Sequence, residues 1–347
     1  MPSHVHAPSS STSSPSRRRL ILPAAGALAL LACGPTGSGP SGDDTPGDVD
    51  AAREIDAGFD LDATNGGEGC AKIDILFVVD NSGSMAQEQA NLATNFPQFI
   101  SVIEQSGLDY RVAVTTTGVD YTYSQGSLPG FPPIPSSITG GDNGAMLQPA
   151  SCNLPRRWIQ AGDPNPAQLF ACAANVGTNG PSDEMPLAAM RAAFDDRVTD
   201  GTNAGFRRDD ALLAVVILTD ENDCSYEQPV TLGFAETLCD AQQEPVANYV
   251  AFLDSFTGDR GRWATAVIAG PGPSTCSSTF GDADYAQRLD QFVMQAGTTN
   301  GVLSSICAGD LTAGLTAALE LFDTACENFP PIGKAAPPRA TPAVAVP

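Results

Sequence analysis

An apolar run at 73–79 ends abruptly in a carboxylate, and this pattern limits the fold more than any other stretch of the chain. A run of this length, rich in β-branched residues, is typical of a buried strand in a parallel sheet. Asp80 follows the run, and Ser82 and Ser84 come next in a turn of Asn, Ser and Gly. Ligands bind at the carboxyl ends of strands in open α/β sheets, so the pattern predicts a binding edge here. The alternative is that Asp80 and Ser84 only cap the following helix.

A second apolar run, at 211–219, ends in the same way, with Asp220 followed by Glu221, Asn222 and Asp223. Around the two runs, strand-like and helix-like patterns alternate. Further strands are predicted at 110–117, 262–269 and 301–307, and helices at 85–105, 182–194, 246–256, 285–296 and 311–322. The first of these helices is expected to break or restart at Pro97. This alternation predicts an α/β fold with a largely parallel sheet.

The periodic pattern is lost at about 119–176, where Pro and Gly are frequent. A stretch of this kind predicts a long loop insertion, which in a compact domain is usually functional or disordered. A disulfide between Cys152 and Cys172 is expected to order part of the insertion. The short apolar piece at 145–147 is expected to add an edge strand.

The beginning of the chain predicts export. Three arginines at 17–19 and an apolar run up to Ala32 are typical of a signal peptide, here 1–32, and the run is too short to span a membrane. Cys33 follows Leu, Leu and Ala, which resembles a bacterial lipobox in which this cysteine becomes the lipidated first residue. Gly34 is unlike an inner-membrane retention signal. We therefore expect a lipid-anchored protein of the outer membrane or cell surface. The alternative is ordinary secretion, in which Cys33 is not lipidated and remains outside the four disulfide pairs.

Two further segments outside the domain are expected to be disordered. The acidic stretch 33–69 has few apolar residues and predicts a tether between the lipid and the domain. The Pro- and Ala-rich stretch 329–347 predicts a tail. The folded domain is therefore expected at 70–328.

Charge and histidine content exclude several functions. The formal net charge is −23, with 40 acidic and 17 basic residues, whereas nucleic-acid binding requires a basic surface. The chain has two histidines, His4 and His6, and both lie in the predicted signal peptide. The mature chain is therefore expected to lack a Ser-His or Cys-His nucleophile and a histidine zinc site.

The cysteines also indicate an oxidising compartment. Of the nine cysteines, eight remain when Cys33 is assigned to lipidation. An even number in an exported protein implies disulfides rather than catalytic thiols. We expect four pairs, which join Cys152 to Cys172, Cys224 to Cys239, Cys276 to Cys307, and Cys70 to Cys326. The last pair would join the two ends of the folded domain.

The two strand-ending motifs together resemble a von Willebrand factor type A (VWA) domain with a metal-ion-dependent adhesion site. The residues from Asp80 to Ser84 match the D-x-S-x-S pattern of this family, and Thr219 with Asp220 matches its strand-ending T-D motif. The resemblance covers roughly Cys70 to Cys326. It implies a Rossmann-like, doubly wound, mostly parallel six-stranded sheet flanked by helices, with strand order 3-2-1-4-5-6 and the long loop insertion.

The resemblance also implies a divalent-cation site. Ser82, Ser84 and a threonine would bind the ion directly, and Asp80 and Asp220 would act largely through water. Thr178 is the preferred threonine, with Ser182 and Thr202 as alternatives because the insertion blurs the alignment. Oxygen ligands of this kind suit Mg²⁺ best, with Mn²⁺ and Ca²⁺ as alternatives.

The chain departs from the family where a glycine usually follows the T-D motif. Glu221 stands there instead, and Asp223 follows two positions later. These carboxylates could recruit calcium, but a solvated acidic turn is the expectation.

Three functions follow from this reading. The first is metal-dependent binding of a protein partner that offers an acidic side chain, with the insertion at the rim of the site; in this case the protein is not an enzyme. The second is a scaffold role in an envelope assembly, with a structural metal. The third is a metal-assisted hydrolase, which lacks an evident base unless Glu184 or Glu221 serves as one.

Overall fold

The two apolar runs form neighbouring strands at the centre of a six-stranded sheet. The computed structural model describes residues 69–126, 132–226, 230–233, 236–240, 243–279 and 281–330. The predicted signal peptide with Cys33, nearly all of the tether and nearly all of the tail lie outside these residues. No helix in the described ranges is both long enough and apolar enough to span a membrane.

The strands and helices alternate as the sequence predicts. In chain order the strands are β1 (Lys72–Val79), β2 (Asp109–Thr116), β3 (Tyr121–Gln125), β4 (Ile134–Ile138), β5 (Ile159–Gln160), β6 (Leu212–Leu218), β7 (Val230–Leu232), β8 (Trp263–Ala269), β9 (Cys276–Ser278), β10 (Gly281–Ala283) and β11 (Gly301–Ser305). The helices are α1 (Ala86–Gln105), α2 (Pro166–Ala173), α3 (Pro186–Phe194), α4 (Asp196–Thr199), α5 (Val246–Thr257), α6 (Gln287–Ala296) and α7 (Thr312–Glu327).

The main sheet has the order β11-β8-β6-β1-β2-β5, and only the short β5 runs antiparallel to its neighbour. When its strands are numbered along the chain, this is the predicted order 3-2-1-4-5-6 read from the other edge. The prediction of an α/β fold with a mostly parallel six-stranded sheet is therefore confirmed. β3, β4 and β7 form a separate three-stranded sheet, and β9 and β10 form a hairpin.

The core lies against the central strand β1, whose side chains alternate between two buried clusters. Ile75, Phe77 and Val79 belong to the cluster that includes residues of α1, α2 and α7. Leu76 and Val78 belong to the cluster that includes residues of α3, α5 and α6. Because both kinds of position are buried, the run is apolar on both sides apart from Asp74.

Helix α1 differs from the prediction, because it continues through Pro97 instead of breaking there. Proline costs the helix one backbone hydrogen bond, but the flanking apolar side chains remain in register. Phe96, Phe99 and Ile100 are all buried in the core, and Phe77 packs edge-on against both phenylalanine rings. Tertiary packing therefore keeps the helix in one piece.

The insertion at 119–176 is more ordered than the sequence predicts. It contains β3, β4, β5 and α2, and Phe170 of α2 packs against Phe77 in the core. The expected edge strand at 145–147 is wrong, since the edge strand of the main sheet is β5. Met146 is instead a buried core residue, and the Leu147 N–H donates to Val114 O.

The boundary of the domain also lies slightly beyond the predicted one. Phe329, assigned to the tail by sequence, is buried, and the Arg262 guanidinium stacks on its ring. The Cys70 N–H donates to Cys326 O at 3.1 Å, so the two ends of the domain meet as expected.

Candidate metal centre

Asp80 and Asp220 lie close together because β1 and β6 are parallel neighbours that end at the same level. Val79 is in register with Leu218, and the Asp80 N–H donates to Leu218 O at 3.0 Å. The Thr219 hydroxyl donates to Asp80 Oδ2 at 2.5 Å, although 139 positions separate the two residues in sequence. The two strand-ending motifs therefore form one cluster at the carboxyl edge of the sheet.

The loop after β1 directs two hydroxyls to the same place. The Ser82 N–H donates to Asp80 Oδ1 at 2.7 Å, which folds the loop back on the carboxylate. Ser82 Oγ and Ser84 Oγ are 3.0 Å apart. The alternative that Ser84 caps a helix is wrong, because α1 begins at Ala86 after Met85 and no side chain caps it.

The segment that carries Thr178 is held against this loop on both sides. Gln89 Nε2 donates to both Asp80 O and Gly177 O, each at 2.8 Å. The Gly180 N–H donates to Asn81 O at 2.8 Å. Thr178 lies between these two anchors and is half-buried.

The two alternatives to Thr178 are positioned differently. Ser182 is exposed, and Thr202 lies in the turn between α4 and β6, where its N–H donates to Asp200 Oδ1 at 2.8 Å. Thr178 alone of the three is therefore flanked by anchors on both sides, the Gln89 side chain of α1 at Gly177 and the backbone of Asn81 at Gly180.

Glu184 is a member of the cluster that the sequence does not single out for the metal site. Its side chain is fully buried and accepts a hydrogen bond from the Thr117 hydroxyl at the end of β2. Burial raises the pKa of Glu184 to about 9, and the neighbouring Asp80 charge adds to the shift. Glu184 is thus protonated at neutral pH. By sequence, Glu184 lies in the first turn of the predicted helix 182–194 and is considered only as a possible base.

The carboxylates of the cluster are poorly neutralised by the protein. Burial raises the pKa of Asp80 to about 6, an effect opposed by the hydrogen bonds from Thr219 and Ser82 and increased by the Asp220 charge. Burial also raises the pKa of Asp220, partly offset by a hydrogen bond from Ser84. Asp220 Oδ1 is buried and has no hydrogen-bond partner. A buried acceptor of this kind is costly unless an ion or water satisfies it.

The donor set fits a hard divalent cation. It combines the hydroxyls of Ser82 and Ser84, a half-buried Thr178 nearby, and a carboxylate oxygen without a partner. Oxygen donors are the ligands that Mg²⁺ prefers, and Mg²⁺ usually retains several waters. Within the described ranges, no group of three or more His, Cys, Asp or Glu side chains is arranged to hold a metal. The fit therefore depends on the hydroxyl oxygens.

Glu221 and Asp223 have different surroundings, and the expectation of a solvated acidic turn is wrong for Asp223. Asp223 is fully buried and forms an ion pair with Arg288 at 2.9 Å. It also accepts from the Leu187 N–H at 3.1 Å, so it caps the start of α3 from a distant loop. Glu221 is half-buried beside the cluster; burial, followed by the charges of Asp80 and other acids, raises the pKa of Glu221 to about 7.

The four expected disulfides are all present. They are Cys70–Cys326, Cys152–Cys172, Cys224–Cys239 and Cys276–Cys307. Two of them adjoin the site: Cys224 follows Asp223, and Cys276 opens the β9–β10 hairpin beside Asp220. The disulfides agree with an exported protein.

Comparison with known proteins gives similarity only at the level of solved structures. No family model and no curated protein sequence matches the chain. Proximal thread matrix protein 1 from the mussel byssus aligns with 11% identity and a TM-score of 0.35 over 73% of this chain and 49% of that chain. The pilus adhesin SpaC from Lactobacillus rhamnosus GG aligns with 11% identity and a TM-score of 0.41 over 74% of this chain and 32% of that chain. The chain thus spans half or less of either protein, and similarity this low supports no inference about function.

Proposed function

We propose that residues 70–328 form a VWA-type domain, doubly wound with helices on both faces of the sheet, that binds a protein partner through a divalent cation. Ser82, Ser84 and Thr178 would hold the ion directly, and Asp80 and Asp220 would orient its waters. Mg²⁺ suits this donor set best, with Mn²⁺ and Ca²⁺ as alternatives.

The observation that carries this proposal is the convergence of the two strand-ending motifs. Hydroxyls from the β1 loop and a carboxylate from the β6 end meet at one point, and the buried Asp220 Oδ1 has no partner there. This convergence supports the proposal.

The chemistry of the site explains how an acidic chain could bind an acidic group. When bound, the cation supplies positive charge and an open coordination position. Because the direct ligands would be neutral hydroxyls, that charge would be only partly quenched, and an Asp or Glu carboxylate of the partner could complete the coordination. The local sign is set by the ion rather than by the net charge of −23.

Calorimetric titration of the purified full chain with MgCl₂, MnCl₂ and CaCl₂ tests this proposal. We expect one bound ion per chain, and an affinity at least about tenfold weaker in Asp80→Ala and in Ser84→Ala. Ser84 is exposed, so its replacement leaves the fold intact. Asp210→Ala is the matched control, since Asp210 pairs with Lys72 at the other end of β1. Absence of ion uptake by the wild-type chain, or equal affinity in all variants, would refute the proposal.

We also propose that the domain is exported and anchored through a lipid on Cys33 to the bacterial outer membrane or cell surface. The disulfides support the export, and the lipobox-like sequence supports the anchor. In this setting the partner is a protein, either an adhesion ligand or a fixed component of an envelope assembly, and nucleic acid is not a partner. A pull-down from solubilised envelope with and without chelator distinguishes a metal-dependent partner from a purely structural metal.

One observation favours a competing function, metal-assisted hydrolysis. Glu221 is half-buried beside the cluster with a pKa raised to about 7, and such a group could act as a general base. We assign no catalysis to the site. Metal-dependent hydrolysis of p-nitrophenyl acetate or phosphate that is lost in Asp220→Asn would favour the hydrolase instead.

A further inference from the structure

Strand β11 forms one edge of the main sheet, and its outer side has no neighbouring strand among the described residues. All residues of β11 are half-buried and uncharged. Sheet edges are normally protected from further pairing by charged side chains, proline, a bulge or a very short strand. β11 has no charge, no proline and no bulge, whereas β5 at the opposite edge is protected by its length of two residues. β11 is therefore the edge to which another strand can add.

The hydrogen bonds to β8 determine which backbone groups of β11 face outwards. The Thr265 N–H donates to Asn300 O at 2.7 Å, and the Ile306 N–H donates to Ala269 O at 3.0 Å. Along a strand, the N–H and C=O groups of successive residues point to opposite edges. Because residues 300 and 306 both bond to β8, the even-numbered residues between them do so as well.

The odd-numbered residues Gly301, Leu303 and Ser305 therefore direct their N–H and C=O groups to the open edge. Two of these groups are satisfied locally. The Gly301 N–H donates to Gly297 O at 2.8 Å, and Ser305 O accepts from the Ala308 N–H at 3.2 Å. The others have no hydrogen-bond partner within the described part of the chain; they are both groups of Leu303, the Gly301 C=O and the Ser305 N–H.

These free groups are complementary to the same groups of a second copy. When two β11 strands pair antiparallel about a twofold axis at Leu303, each Leu303 N–H donates to Leu303 O of the other copy. Gly301 of one copy then lies opposite Ser305 of the other, and the Ser305 N–H donates to Gly301 O. The groups left over in this pair are Gly301 N–H and Ser305 O, which the chain already satisfies internally. A strand of another protein would meet the same edge without this match.

We propose that the open edge of β11 binds a second copy of this chain and joins the two main sheets into one. Closed twofold dimers are the commonest assemblies of identical chains, and the uncharged strand adds no repulsion at the contact itself. The pairing uses no residue of the candidate metal centre, so it goes beyond the proposed function. Because the two halves of the joined sheet run antiparallel, the two metal centres would open at opposite edges.

Sedimentation equilibrium of the purified full chain over a range of concentrations tests the proposal. We expect a monomer–dimer equilibrium that persists in EDTA, because no metal ligand takes part. Two chains of net charge −23 repel each other at long range. The dimer should therefore tighten several-fold when NaCl is raised from about 20 mM to about 500 mM, since salt screens this repulsion.

A pair of variants at one position separates the backbone contact from side-chain packing. Leu303→Pro removes the outward N–H at the centre of the pairing, and the bonds to β8 remain because the even-numbered residues make them. Leu303→Ala is the matched control, since it loses the same half-buried side chain but keeps the N–H. The dissociation constant of the dimer should be at least about tenfold higher in Leu303→Pro than in Leu303→Ala. Equal constants would overturn the proposal.

Amide hydrogen exchange of the wild-type chain, followed by NMR, tests the same contact without a substitution. The Leu303 and Ser305 amides should exchange at least about tenfold more slowly at concentrations where the dimer dominates than where the monomer does. Exposed Thr298, in the turn before β11, is the control and should exchange equally fast at both. Exchange of Leu303 that does not depend on concentration would overturn the proposal.

Two further results would also overturn it. A chain that stays monomeric at every concentration would leave the β11 edge to a strand of another protein. A dimer that dissociates in EDTA would place the contact at the metal centre instead. In both cases ion uptake by the chain, and with it the proposed function, is tested separately by calorimetry.

Discussion

At the scale of single residues, Glu184 gives the site a testable pH dependence. The fully buried Glu184 has a pKa raised to about 9 by burial and by Asp80, whereas an unfolded glutamate titrates near 4.5. The folded chain therefore retains a proton that the unfolded chain releases. Its contribution to stability is fully present below about pH 4.5 and is lost as pH rises towards 9, by up to ~1.4 kcal/mol per pH unit.

We expect Glu184→Gln to flatten the fall in stability between pH 6 and pH 9, measured by urea unfolding in EDTA. The amide keeps an acceptor for the Thr117 hydroxyl but carries no titratable proton. Saturating Mg²⁺ should raise the stability of the wild-type chain most at high pH, because a cation offsets the ionised carboxylates. An equally steep fall in the variant would contradict the protonated state of Glu184.

A second buried carboxylate, at the opposite end of β1, predicts a large effect on stability. Asp74 is fully buried, and Arg208 donates to it from Nε at 2.9 Å and from its N–H at 2.6 Å. Arg208→Ala removes the guanidinium and leaves the buried carboxylate only the backbone N–H of residue 208, so it should lower the free energy of unfolding by ~3–5 kcal/mol. The pair of half-buried Arg197 with exposed Asp200 is the control, and Arg197→Ala should cost only ~0–1 kcal/mol. Similar losses in urea unfolding of the two variants would contradict this account.

At the scale of elements, the site depends on the close approach of two loops. A Cβ at Gly180 would lie 2.2 Å from Asn81 Oδ1, so in Gly180→Ala either the buried Asn81 side chain or the Thr178 segment must move. We expect an affinity for Mg²⁺ at least about tenfold weaker, since overpacking costs ~1–3 kcal/mol. Gly83→Ala, in the same site but with nothing within 4 Å of the added carbon, should bind Mg²⁺ normally. Calorimetry on both variants checks this, and equal affinities would exclude the close approach.

The elements that the sequence predicts well are those whose signal is local. β1 and β6 are largely apolar runs, and their boundaries differ from the prediction by at most one residue at each end. Since both are central, parallel and buried, their positions also predict where Asp80 and Asp220 meet. The four disulfide pairs were likewise predicted correctly, although sequence alone cannot fix connectivity.

The elements that the sequence does not predict depend on distant partners. β5 is two residues long and pairs only because β2 offers a free edge, so no periodic pattern marks Ile159. The start of α3 at Pro186 is capped by Asp223, which lies on another loop. For the same reason the sequence does not predict that Glu184 and Asp223 are fully buried.

At the scale of the whole molecule, two of the disulfides should have different roles. One should contribute more to the stability of the fold, and the other more to metal binding at the site. Cys70–Cys326 spans 256 positions and joins the beginning of β1 to the end of α7, far from the carboxyl edge of the sheet. Cys224–Cys239 spans only 15 positions, but the Cys224 N–H donates to Glu184 O at 2.7 Å, next to the metal centre. The longer loop restricts the unfolded chain more.

Replacing both cysteines of a pair by serine tests this difference. Loss of Cys70–Cys326 should lower the free energy of unfolding by roughly 2–5 kcal/mol and leave Mg²⁺ affinity within about twofold, because the carboxyl ends of β1 and β6 are unchanged. Loss of Cys224–Cys239 should cost less stability but weaken Mg²⁺ binding several-fold, because the backbone that holds Glu184 beside Asp80 is freed. Urea unfolding and calorimetry on the same two variants measure both quantities. If the variant that loses more stability also loses more affinity, the site depends on the stability of the whole fold rather than on the local loop.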